Sequence, residues 1–214
     1  MITKKYQNTT APIVSYDYTD IEEGTGTVVF YGSVVDEDAV SDYVLSKNIF
    51  NSKTIEIASA EKTMTADYVE HVNIDFEVSF NVAKTVKGHA YLTGSFDYYK
   101  TADANQTAYW KATLNKVSGG VETEIGSSRF TDAVSSDRVE KTLRISLTET
   151  DFKPGDILRL TILAYGKYTS AGVRTAIYTF GADPKNRDRT RITPSTESDQ
   201  TTQLKLYVPF KLNL

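Results

Sequence analysis

The sequence predicts an all-β protein, an antiparallel β-sandwich of the jelly-roll type, and three observations carry that expectation. The run from Val72 to Val82 alternates apolar and polar residues without a fault. That is the period of a strand with one face in a core and one in water. At about 3.3 Å per residue the run would span roughly 36 Å, about twice a typical strand, which suits a large sandwich or barrel. Similar alternation recurs in about ten segments, with few convincing helical periods and no internal repeat. Finally, Phe152-Lys153-Pro154-Gly155-Asp156-Ile157-Leu158 reads as a tight turn feeding a strand. Proline fixes the first central φ of such a turn and glycine accepts the positive second one.

Residues 1–10 are polar and rich in Thr, Asn, Gln and Lys, and read as an extended arm ahead of a single domain over 11–214. Ala11–Tyr18 reads as a first strand and Thr27–Gly32 as a second. Asp36–Val44 could form a short helix, but Tyr43–Ile57 reads better as extended chain, and 59–70 as a loop or one or two helical turns. After the long strand come strands around Ala90–Tyr98, Ala108–Leu114, Val121–Ile125, Leu143–Leu147, Leu158–Ala164, Ala176–Phe180 and Leu204–Leu212. Gly119-Gly120 is a hairpin turn between two of them. Pro209 lacks a backbone donor, so the final strand is expected at an edge or with one side unpaired. Residues 183–202 are polar, rich in Arg, Thr and Asp, and read as a long surface loop. Loops of that length usually bind something or move.

Composition narrows the functional classes. The chain has 214 residues, a net charge of −4 and no cysteine. Without thiols there is no disulfide framework, thiolate metal site or cysteine nucleophile. The acidic balance argues against nucleic acid as a main partner. No stretch approaches the ~20 apolar residues of a membrane helix, and the N-terminus lacks the apolar core of an export signal. The 14 Tyr and 9 Phe against one Trp suit half-buried strand positions, and also interfaces.

Chemistry is sparse. The two histidines, His71 and His89, flank a prospective hairpin that could bring them together, yet no HxH or HExxH spacing accompanies them. No serine sits in a Gly-x-Ser-x-Gly elbow and no phosphate-binding loop occurs. Tyr91, Tyr98, Tyr99, Tyr109 and Trp110 could offer stacking faces, although alternation places Trp110 in the core. Asp183, Asn186 and Asp188 carry oxygen donors without the full calcium-loop pattern. The basic residues Lys185, Arg187, Arg189 and Arg191 in the same loop, with Lys4, Lys5 and Tyr6 in the arm, are the candidate partner contacts. No catalytic, cofactor or metal residue is assigned.

The opening Ala11–Tyr16, the Phe152–Ile162 turn, the Ala182-Asp183-Pro184 loop with Arg187-Asp188, and the terminal Thr202–Lys211 together resemble jelly-roll virion structural proteins of tailed phages. The resemblance implies a non-enzymatic capsid decoration or auxiliary head protein, assembled in the host cytoplasm. Its partners would be the major capsid protein, other virion proteins and further copies of itself, a trimer being one form. A carbohydrate- or receptor-binding module of a tail or fibre is the alternative. No cofactor is implied.

Overall fold

The computed structural model describes residues 25–37, 40–99, 106–132, 139–170, 174–187 and 201–211. The arm and the expected strand at 11–18 lie outside them, as does most of the 183–202 loop. The described residues form twelve strands and no helix. They are β1 (Thr25–Glu37), β2 (Val40–Ser46), β3 (Glu56–Ala58), β4 (Lys62–Met64), β5 (Val69–Ser79) and β6 (Lys84–Tyr99). Then follow β7 (Gln106–Ser118), β8 (Val121–Asp132), β9 (Val139–Phe152), β10 (Ile157–Tyr168), β11 (Arg174–Gly181) and β12 (Leu204–Lys211).

Hydrogen bonding links the strands in the order β3-β11-β6-β12-β1-β2-β5-β10-β7-β8, with β9 on the other side of β6 and β4 beside β11. Pairing is antiparallel except at one rung, where Val44 of β2 meets Glu77 of β5 in parallel. The sheet folds over at that rung into a sandwich. One layer holds β9, β6, β12, β1 and the β11 group; the other holds β5, β10, β7 and β8. Aromatic contacts across the fold define the core. Phe96 lies 5.0 Å from Trp110, and Phe76 lies 6.1 Å from Phe180. Both pairs join strands far apart in the sheet order. Each buried Phe contributes roughly 1.5–3 kcal/mol.

The long alternating strand is real but ends at Ser79. Phe80 then turns inward, because its N–H donates to Asp156 O and its carbonyl accepts from Gly155 N. It packs edge-on against Phe152 and Phe210, while Val82 is left exposed. Gly119 and Gly120 have φ of 57° and 81°, the left-handed pair of a tight hairpin. The helix weighed for 36–44 is not seen over its described residues, 36–37 and 40–44, which are paired between β1 and β2. Residues 59–70 contain β4 and the start of β5, not helical turns. Of the two expectations for the last strand, an edge position or one unpaired side, the edge is corrected and the unpaired side is met locally at Pro209. β12 lies between β1 and β6, and Pro209 falls where the β12–β6 register is interrupted, so its missing donor is taken from a break in the ladder.

Candidate functional site

His71 is the most unusual polar residue inside the sandwich. On β5, Val72 is paired with Ala164 and Glu70 with Tyr165, leaving His71 as an extra, unpaired residue. This β-bulge swings the ring off the regular alternation and buries it at 4% exposure. The ring lies 4.5 Å from that of Tyr178 on β11. Gly166 on β10 leaves the room: a Cβ there would collide with the Tyr178 hydroxyl and stand 3.2 Å from His71 Nε2. Neither ring nitrogen makes a well-formed hydrogen bond. Burial, reinforced by the charge of Lys62, lowers the pKa to about 4, and the nearby Ala176 backbone offsets this only in part. The ring is therefore neutral at pH 7 and walled from solvent.

His89 is elsewhere. It stands exposed on the outer face of β6, where Arg144 Nη2 on β9 donates to its Nε2 at 2.6 Å. The expectation that a hairpin would bring the two histidines together is corrected: β5 and β6 are consecutive but belong to opposite layers. Among the described residues no cluster of three metal-ligating side chains occurs.

The Pro154-Gly155 turn builds a second polar group. Gly155 has φ of 90°, and Asp156 closes the turn by accepting from Lys153 N at 2.8 Å. Lys116 Nζ lies 3.0 Å from the same carboxylate. Hydrogen bonding from Ser118, then from the Lys153 backbone and Lys116, lowers the Asp156 pKa to about 2. Beside this group the sandwich opens between β8 and β9 into a groove of about 350 Å³, lined by Lys116, Ser118, Thr123, Thr148 and Thr150 over Ile125. Neither histidine is there, so Ser118 has no imidazole to take its proton.

The outer face of the second layer is self-paired. Arg159 reaches Glu77 at 2.5 Å, Glu122 at 2.7 Å and Asp75 at 3.5 Å. Tyr109 and Tyr165 stack at 5.3 Å, with Tyr68 edge-on to Tyr109 and Arg129 over it. Trp110 is core, as its alternation requires.

Of the basic residues expected to meet a partner, Lys4, Lys5, Tyr6, Arg189 and Arg191 lie outside the described residues. Lys185 is exposed. Arg187 is turned onto its own chain: Nε donates to Asp183 Oδ2 at 2.9 Å and Nη2 to Ser52 O at 2.7 Å. Burial works against ionisation of Asp183, but hydrogen bonds from the Arg187 side chain and backbone outweigh it and keep its pKa below the ordinary value. Asn186 accepts from Thr202 N and Thr201 Oγ1 through Oδ1. The oxygen donors weighed for calcium at Asp183 and Asn186 are thus spent on closing the loop. Sequence reasoning missed His71 as a buried group, because a bulge shifts parity without any local signal.

No family model matches the chain, and no curated protein matches it by sequence. Its fold does recur among solved structures. An α-amino acid ester hydrolase superposes with TM-score 0.57 and 10% identity over 86% of this chain and 36% of its own. An aminopeptidase from the marine sediment archaeon Thaumarchaeota archaeon gives 0.53 and 9% over 85% and 36%. A CocE/NonD family hydrolase from Staphylococcus aureus gives 0.47 and 10% over 88% and 37%. The chain thus spans about a third of the length of these hydrolases. VP2 of an infectious bursal disease virus subviral particle gives 0.27 and 7% over 84% and 46%, too distant to carry an argument.

These findings correct the functional expectation. The ester hydrolase and the aminopeptidase superpose at TM-scores above 0.5, which overturns the reading of a non-enzymatic virion structural protein and the tail or fibre alternative with it. What the likeness shows of this chain is the fold. The all-β sandwich expected from the strand alternation stands; the phage assignment of the resemblance finds no match.

Proposed function

We propose that this chain is the β-sandwich module of a hydrolase acting on ester or amide bonds, working with a hydrolytic body that it does not itself comprise. One observation carries the reading: the superposition takes in 86% of this chain but 36% of the ester hydrolase. A module of that share leaves most of an enzyme to be supplied. The described residues agree with a divided role. Ser118 sits with Asp156 and Lys116 at one corner, while His71 and His89 lie in separate layers and neither lines the groove beside it, so a serine, an imidazole and a carboxylate are not assembled within them.

The test is to purify the tagged full chain from its source cells under native conditions. Hydrolysis of p-nitrophenyl acetate and alanine p-nitroanilide is then followed, and the eluate is labelled with a fluorophosphonate. Turnover that co-elutes with the chain, with label on it or on a companion polypeptide, is the expected result. No turnover and no label on anything that elutes with the chain overturns the proposal. Self-assembly, a trimer being one form, virion proteins as partners and a place on a virion remain proposals from the sequence resemblance. Sedimentation equilibrium and fractionation of purified particles test them.

A further inference from the structure

The outer face of the first layer differs from that of the second, where carboxylates enclose Arg159. Register places its residues side by side. Tyr91 on β6 lies between Arg144 on β9 and Tyr207 on β12. In the next row Thr93 is flanked by Thr142 and Lys205, and Lys205 is paired with Tyr31 of β1. All have the opposite parity to the core residues Leu92, Leu143, Leu206 and Phe30, so they point outward. His89 lies beyond Tyr91 along β6. At about 4.8 Å between strands and ~6.8 Å between same-face residues, the six residues Tyr31, His89, Tyr91, Arg144, Lys205 and Tyr207 cover a patch roughly 15 Å across.

Two features set this patch apart. First, Tyr91 is 41% exposed, in a row with a second tyrosine. Second, its cations are not neutralised. Arg144 donates to His89 Nε2, an acceptor that carries no negative charge, and among the described residues neither Arg144 nor Lys205 forms an ion pair. The carboxylates at its margins are already engaged: Glu140 accepts from Thr201 N, and Glu149 lies 3.4 Å from Lys87 and 3.6 Å from Lys211. A chain of net charge −4 thus holds two uncompensated cations among tyrosines on one sheet face.

We propose that this face is a docking surface for an acidic protein partner, with Arg144 and Lys205 meeting its carboxylates and Tyr91 and Tyr207 packing beneath them. Tyrosine and arginine together are the composition of interface hot spots. The patch has the size of the water-excluding centre of a standard interface, which buries about 800 Å² on each partner. A nucleic acid fits less well. Two permanent cations neutralise few of the phosphates that supply nucleic-acid affinity. The surface stands independently of the hydrolase reading, since its test requires no turnover.

The test uses the full chain and fluorescent poly-L-glutamate, read by anisotropy at low salt. A dT20 oligonucleotide and heparin serve as alternative polyanions. The expected result is saturable binding of poly-L-glutamate that weakens at least about tenfold in R144E/K205E and in Y91A. A charge reversal at the exposed Lys153→Glu, in the Pro154-Gly155 turn and away from the patch, should change it less than about twofold. All four substituted side chains are on the surface, and unchanged urea midpoints establish that the variants are folded. Absent binding of poly-L-glutamate overturns the proposal. So does equal binding by R144E/K205E, or binding of dT20 or heparin alone.

Discussion

Acidification should strain this fold at His71 before it reaches the carboxylates. In the unfolded chain the imidazole takes its ordinary pKa of 6.5, and in the folded protein about 4. The folded value is the lower one, so the unfolded state binds more protons between these limits and stability falls as pH falls. The effect is absent well above pH 6.5, grows through pH 5 and is complete below pH 4. A gap of about 2.5 pH units at about 1.36 kcal/mol each caps the loss at about 3.4 kcal/mol. At pH 5 the same linkage gives about 2 kcal/mol, a large part of a typical folding free energy of 5–15 kcal/mol. His71→Leu removes both unbonded nitrogens while keeping an apolar side chain of similar bulk against Tyr178 and Gly166. Urea titrations at pH 7.5 and 5.0 should show the wild type losing about 2 kcal/mol and the variant less than about 0.5 kcal/mol. Asp156, with its folded pKa near 2, acts only at lower pH and does not blur the comparison. Parallel losses in the two proteins would refute the reasoning.

Two further outcomes follow from the geometry. Gly166→Ala places a Cβ against the Tyr178 hydroxyl and 3.1 Å from its ring carbon Cζ; thermal unfolding should show a loss of about 1–3 kcal/mol, smaller in a Tyr178→Phe background. Asp156→Asn removes the charge that Lys116 and the turn stabilise. Because the folded pKa of Asp156 lies below its ordinary 3.8, its contribution is present above pH 3.8 and lost as pH falls toward 2. The Tm difference between wild type and variant should shrink over that interval, and a constant difference would count against the mechanism.

The fold was largely legible because its strands announce themselves locally. Leu92, Leu160 and Leu206 alternate with polar neighbours, and each is buried as that pattern requires. What escaped was long-range. Nothing near Pro209 in the sequence shows that two strands flank it, since a proline at a ladder break looks the same as one at an edge. Nothing near His71 shows the extra residue, because the bulge depends on how β10 aligns with β5. Arg187 reads as a free cation in sequence and becomes a loop clamp only when Ser52, far away in the chain, arrives beneath it. The patch around Tyr91 was half visible. Its tyrosines alternate outward, but the row joining Arg144, Tyr91 and Tyr207 exists only once three distant strands are in register.

The position of β12 bears on how the molecule is made. The last strand of the described chain is inserted mid-sheet, all eight of its residues paired with β1 and four of them, Lys205, Leu206, Tyr207 and Phe210, paired also with β6. A ribosome must therefore deliver Lys211 before β1 and β6 find their shared neighbour. Until then the nascent chain carries two raw strand edges, open to pairing with other chains. Closure of the sheet waits on Leu204–Lys211 and is governed by slow, non-local pairing, and any message truncated ahead of Leu204 yields a polypeptide with a missing plank in its middle.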